Sequence, residues 1–109
     1  MRLLLDENLP KRLKLDFPRH DVYTVWERQW NGIKDGVLLK LMLADGFQAL
    51  LTFDKNLQHQ QNLDNYTLTV FVLNAPINTY AELTKLSAQI DALLAAGNLQ
   101  PGPIIIKAS

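Results

Sequence analysis

Three aspartates stand where this chain could do metal chemistry. Leu3-Leu4-Leu5 runs into Asp6-Glu7-Asn8, and Ala49-Leu50-Leu51-Thr52-Phe53 runs into Asp54-Lys55, so each carboxylate follows a short, mostly apolar run. Such a run reads as a parallel strand covered on both faces, and in open α/β sheets ligands bind beyond the carboxyl ends of such strands. Asp35-Gly36 adds a third position at the start of a helical stripe. Side-chain oxygens gathered in one crevice suit a hard divalent cation such as Mg2+. Sharing it would need the Asp6, Asp35 and Asp54 carboxyl groups within about 4–8 Å of one another. Like charges that close raise the pKa of at least one of them. Asn8 lies two residues from Asp6 and Thr52 two residues before Asp54, so an extended chain turns each pair to one face. Each aspartate also has a plain structural use as a helix cap, Asp35 most of all.

The elements that must position these groups follow from pattern. Arg2–Leu5 reads as the first strand, Pro10–Leu15 as a short helix with Asn8 near its N-cap, and His20–Val25 as the second strand. Glu27–Lys34 is a loop with Trp26 and Trp30 around Asn31-Gly32. Asp35 then caps a helix whose stripe is Val37, Leu38, Leu41, Met42 and Leu43, ending at Gly46. Ala49–Thr52 is the third strand, Asn56–Asn62 a short polar helix or loop, and Thr67–Leu73 the fourth strand. A long helix capped by Asn78 or Thr79 reaches Ala96, Pro101-Gly102-Pro103 turns the chain, and Ile104–Lys107 is the last strand. Strands alternating with helices predict an α/β fold. The expectation is a three-layer α/β/α sandwich with a mainly parallel sheet of about four to five strands and right-handed crossovers. Leu3–Leu5 should be central, with Ala49–Thr52 beside it.

Composition sets the class. A chain of 109 residues is read as one domain spanning 1–109, with no linker, repeat or low-complexity segment. The absence of cysteine excludes disulfides, thiolate metal sites and cysteine nucleophiles. With no membrane-length apolar run and no secretory pattern behind Arg2, a soluble, cytoplasmic protein is expected. Eleven basic and eleven acidic residues cancel. The first forty residues hold eight Lys/Arg against six Asp/Glu, and the rest three against five. That is not the basic footprint of a DNA-reading domain, so any nucleic-acid contact must be local, through Lys11, Arg12, Lys14, Arg19, Arg28 or Lys34.

Asp6-x-Asn8 after an N-terminal strand resembles the opening signature of PIN domains. Asp35-Gly36 through Ala44-Asp45-Gly46, followed by Leu51-Thr52-Phe53-Asp54, resembles their downstream signature. More closely, Leu5-Asp6-Glu7-Asn8-Leu9-Pro10, His20-Asp21-Val22 and Thr52-x-Asp54-Lys55 look like the short, stand-alone bacterial PIN-like family grouped with toxin–antitoxin systems. The resemblance covers essentially the whole chain. It implies a PIN-like sheet and a metal-dependent endoribonuclease, with RNA as substrate and an antitoxin protein as partner. Asp6, Asp35 and Asp54 would be catalytic and hold Mg2+ or Mn2+. Asn8, Thr52 and Lys55 would support them or touch phosphate. Typical PIN domains carry a further acidic residue between the two signatures. That region is shortened here, and Glu7 or Glu27 would have to substitute.

Four other readings compete. A phosphoacceptor receiver domain would use Asp6-Glu7 as the acidic pair, Asp54 as acceptor and Lys107 as the basic partner. Asn74 stands where its hydroxyl belongs, and the Asp54–Thr67 stretch is short for a crossover helix. A PIN-like binding or assembly module without catalysis fits the reduced acidic set. Zinc chemistry through His20 and His59, 39 residues apart, lacks ligand spacing, and no nucleophile elbow surrounds Ser87. The stripe Leu83, Leu86, Ile90, Leu93 and Leu94, widened by Ala92, Ala95 and Ala96, predicts a homodimer or antitoxin complex, with Trp26 or Trp30 as anchor.

Overall fold

The computed structural model describes residues 1–108, the Asp64 side chain excepted. Five strands, β1 (Arg2–Leu5), β2 (Asp21–Thr24), β3 (Ala49–Thr52), β4 (Thr69–Asn74) and β5 (Gly102–Lys107), form one sheet in the order β2-β1-β3-β4-β5. Every neighbouring pair is parallel. Leu3, Leu4 and Leu5 are buried without remainder, as are Ala49, Leu51 and Thr52, which is why these runs carry no polar alternation. β1 lies in the interior of the sheet with β3 beside it, as expected.

Side chains alternate across each strand and divide the interior in two. Leu3, Leu5, Ala49, Leu51, Phe71 and Leu73 pack with Leu13 of the 3-10 helix Lys11–Asp16. Leu83, Leu86, Ile90 and Leu94, from the C-terminal helices, join the same cluster. Leu4, Leu50, Val70 and Val72 pack with Leu38, Leu39 and Met42 of α1 (Asp35–Ala44) and with Leu57 of α2 (Leu57–Gln60). The arrangement is an all-parallel α/β fold compatible with a three-layer sandwich.

The crossovers do not all share one hand. β1 to β2 steps one way along the sheet over the Leu3–Leu5 cluster, while β2 to β3 and β3 to β4 step the other way over the Leu4–Leu50 cluster; these three are equivalent. β4 to β5 steps the second way but over the first cluster, so its hand is opposite, and the expectation of uniformly right-handed crossovers fails there. Coverage explains it. Without the C-terminal helices, the Leu3–Leu5 face would have only a six-residue 3-10 helix over it. One consequence is local: Ile105, on the other face of β5, is 53% exposed.

Several boundaries differ from the sequence reading. Pro10, not Asn8, stands at the N-cap of the first helix, which is 3-10 in form. β2 stops at Thr24 because Thr24-x-x-Glu27 makes a capping box. The Glu27 N–H donates to Thr24 Oγ1 (3.0 Å), and the Thr24 N–H donates to Glu27 Oε1 (2.8 Å). The long C-terminal helix is three pieces, α3 (Tyr80–Leu83), a 3-10 turn (Thr84–Leu86) and α4 (Ser87–Ala96). Thr79 is its cap, and Gly97, at φ 79°, closes it. Tyr80, Thr84 and Ser87 fall on one face at helical spacing, and their hydroxyls donate to the Asp16 carboxylate at 2.7, 2.7 and 2.6 Å. This clamp fixes the C-terminal helices to the first 3-10 helix.

Candidate active site

β1 and β3 are the neighbours between which the strand order reverses direction, the topological switch point where open α/β sheets place their ligands. Asp6 is the first residue past β1, and its N–H still donates to Leu51 O (2.9 Å) across to β3. Its carboxylate is fixed on both oxygens. Oδ1 accepts the Glu7 N–H at 2.8 Å, and Oδ2 accepts the Thr52 hydroxyl at 2.6 Å. Thr52, the last residue of β3, is fully buried, and its Oγ1 in turn accepts the Asp54 N–H at 3.0 Å. Asp54 Oδ1 accepts the Asn56 N–H at 2.8 Å, holding the turn into α2. One short chain of hydrogen bonds therefore runs Asp6–Thr52–Asp54.

Asp35 faces this chain from another element. It occupies the first turn of α1, but the N-cap is Lys34, whose side chain makes no cap bond, so the expected capping role of Asp35 is not the one it fills. Burial pushes its carboxyl above the ordinary range, and the charges of Asp6 and Asp54 push it the same way. The three aspartates are thus within electrostatic reach. Among the described residues, however, no three His, Cys, Asp or Glu side chains are drawn close enough to form a ligand cluster for one metal ion. Gly36 beside Asp35 permits a close approach: a Cβ there would sit 3.2 Å from Gln61 Oε1. Gln61, which sequence reasoning passed over, therefore crosses the first turn of α1.

The other candidates divide. Glu7 is engaged elsewhere, its Oε1 accepting the Gly32 N–H at 2.8 Å and so holding the β2–α1 loop. Asn8 is exposed; its carbonyl accepts Asn78 Nδ2 at 2.7 Å, which ties the β1 loop to the loop after β4. Lys55 is exposed, with Nζ 5.6 Å from the Phe53 ring centre. Glu27 is committed to the capping box and to Lys14 (2.8 Å), and these bonds hold its carboxyl below the usual range. Two of these ties escaped the sequence reading for different reasons. The Thr-x-x-Glu pattern of the capping box was visible, whereas nothing local pairs Asn78 with a residue seventy positions earlier. Trp30 is half-buried against Phe47 (5.7 Å between ring centres) and under Arg28, while Trp26 is 61% exposed, so only Trp26 remains free to act as an anchor. His20 lies 3.7 Å from Asp91 and belongs to no ligand group.

The donor set suits magnesium or manganese better than zinc. It is all oxygen, and Mg2+ is commonly held by one or two carboxylates, its remaining positions filled by water and substrate phosphate. Asp6 and Asp54 can supply those carboxylates without a closed protein cage. Comparison with family models, with curated proteins and with solved structures finds no match.

Proposed function

We propose that this chain is a PIN-like, metal-dependent endoribonuclease of three-layer α/β/α architecture, working in the cytoplasm as the toxin of a toxin–antitoxin pair. The observation that carries the reading is the Asp6–Thr52–Asp54 hydrogen-bond chain at the β1/β3 switch point, with Asp35 set against it. Asp6 and Asp54 would hold Mg2+ or Mn2+, with Asp35 completing the anionic set. A cation bound there supplies an activated water and charge stabilisation for phosphoryl transfer. Thr52 orients both carboxylates, donating to one and accepting from the backbone of the other. Asp35, whose carboxylate accepts no hydrogen bond among the described residues, is suited by its raised proton affinity to take up a proton at a carboxylate oxygen during hydrolysis. Asn8 and Lys55, both exposed in loops that follow β1 and β3, would touch phosphate. Leu93, Ala92, Ala95 and Ala96 are exposed on α4 and offer a surface for a second copy or an antitoxin.

The deciding experiment compares wild type with Asp6→Asn, purified side by side, on single-stranded RNA with Mg2+ or Mn2+. Cleavage lost in the variant supports the reading; equal cleavage means a contaminant and ends it.

A second reading draws on the strand order, which is that of flavodoxin-like folds and therefore of receiver domains. Against it, β4 ends in Asn74 rather than a hydroxyl, and α2 is only four residues long. Incubation with acetyl phosphate, followed by mass measurement, separates the two: a phosphoryl adduct on Asp54 belongs to the receiver alone.

A further inference from the structure

A groove of about 530 Å3 lies away from the carboxylates. It runs between the first 3-10 helix, which contributes Lys11, Arg12 and Leu15, and the capping-box turn after β2, which contributes Trp26. Leu15 and Trp26 are 74% and 61% exposed, the two most exposed large apolar side chains of the fold, and they line the same groove. Neither is needed by the core.

Charge tells what the groove is suited to. Its carboxylate, Glu27, is already neutralised, with Oε1 and Oε2 at 2.9 and 2.8 Å from Lys14 Nζ and the Thr24 N–H on Oε1. Lys11 is exposed and carries no ion pair among the described residues. Arg12 lies 4.4 Å above the Tyr80 ring, a contact that holds its side chain in place at the edge. A flat apolar surface with fixed and free cations beside it matches one nucleotide of a single strand, whose base stacks and whose phosphates need positive charge. A groove of this volume is in the range that takes a ligand of that size.

Position connects the groove to the aspartates. Thr24, in its wall, is in register with Leu5, the residue before Asp6, on a neighbouring strand about 4.8 Å away. The 3-10 helix follows the Asp6–Pro10 turn directly. A strand crossing the carboxylates can therefore continue over β2 into the groove.

We infer that the groove is a nucleotide subsite for single-stranded RNA, with one base stacked on Trp26 against Leu15 and its flanking phosphates met by Lys11 and Arg12. This rests on the ribonuclease reading for its biological sense, but the binding can be measured without chemistry. Fluorescence anisotropy with a ten-nucleotide labelled oligouridylate in EDTA isolates it. Trp26→Ala should weaken binding by roughly 5- to 100-fold, the effect of losing one base–aromatic stack. Trp26→Phe should recover most of that. Lys11→Ala should flatten the dependence of log K on log salt by about 0.7. Unchanged affinity in Trp26→Ala, or no binding by wild type, overturns the subsite. So does capture of a leucine-containing polyglutamate peptide, lost in Trp26→Ala, where oligouridylate fails; the groove would then be a protein-docking surface. The two readings fail separately. Trp26-dependent binding without Mg2+-dependent cleavage leaves the subsite standing and the nuclease fallen, whereas Asp6-dependent cleavage indifferent to Trp26 does the reverse.

Discussion

Two carboxylate sites in this small protein are built on opposite plans. Asp16 is saturated: burial works to raise its carboxyl, but hydroxyls from Ser87, Tyr80 and Thr84, helped by the Arg12 charge, hold it below the usual range. Asp35 is starved: it is half-buried near two other carboxylates, accepts no hydrogen bond among the described residues, and is pushed upward. The first arrangement lowers the free energy of the folded state. The second raises it, which makes Asp35 a candidate for a functional group. Sequence type does not separate the two, since both are aspartates flanking short helices; their donors do.

The sharpest break of that contrast is chemical. Asp6→Asn and Asp54→Asn should each remove Mg2+-dependent RNA cleavage by at least about two orders of magnitude, because a lost cation forfeits several kcal/mol of transition-state stabilisation. The Asp16→Asn variant should cleave as wild type does, as measured on the same labelled RNA. Stability should show the mirror image. Asp16→Ala strands the buried Ser87 hydroxyl and loses two more charge-assisted bonds, a loss of about 2–4 kcal/mol in urea unfolding. Wild-type values there would remove the clamp from the account of the fold.

Cation binding tests the same difference from the other side. At about one hundred times its Kd, Mg2+ should stabilise the wild type by about 2.7 kcal/mol, read as a rise in Tm, and leave Asp54→Asn unmoved. The smallest effect lies in pH. Asp16 has its carboxyl lowered from 3.8, so its contribution is present above that value and lost as pH falls through and below it. Asp35 is raised from 3.8, so the folded state holds its proton longer, and stability declines as pH rises from 3.8 through the folded value. Asp35→Asn should therefore gain about a few tenths of a kcal/mol at neutral pH, solvent screening keeping it small, and should flatten that decline. Asp16→Asn should flatten only the acid limb. Urea titrations from pH 3 to 7 on the three proteins separate the two signs.

What the sequence made legible was local. All-apolar runs gave β1 and β3 and their parallel pairing, because only a strand buried on both faces tolerates three leucines in a row. Asp6 and Asp54 were singled out as candidates from their place at the ends of those runs, and the Thr52 hydroxyl links them. The Asp16 clamp was invisible, since its three hydroxyls lie 64, 68 and 71 residues away. The division of the C-terminal helix was not legible either, because an apolar stripe looks alike in one helix or three short pieces. Asp35 was read both as a third member of the carboxylate set and as a helix cap; the chain places Lys34 at the cap, with Asp35 in the first turn of α1 and within electrostatic reach of Asp6 and Asp54.

The reversed hand of the last crossover bears on how the chain assembles. A β-α-β unit of that hand is disfavoured as an isolated fragment, so β4, the helices and β5 have little reason to close by themselves. Their docking surface is the Leu3–Leu5 face, together with Asp16, from the opposite end of the chain. The N-terminal strands must therefore be in place before the C-terminal third gains anything by folding, and contacts of such long range slow the search. Removing the last strand should then cost more than an edge strand's own contacts, because the helices that seal the first face lose the segment returning them to the sheet.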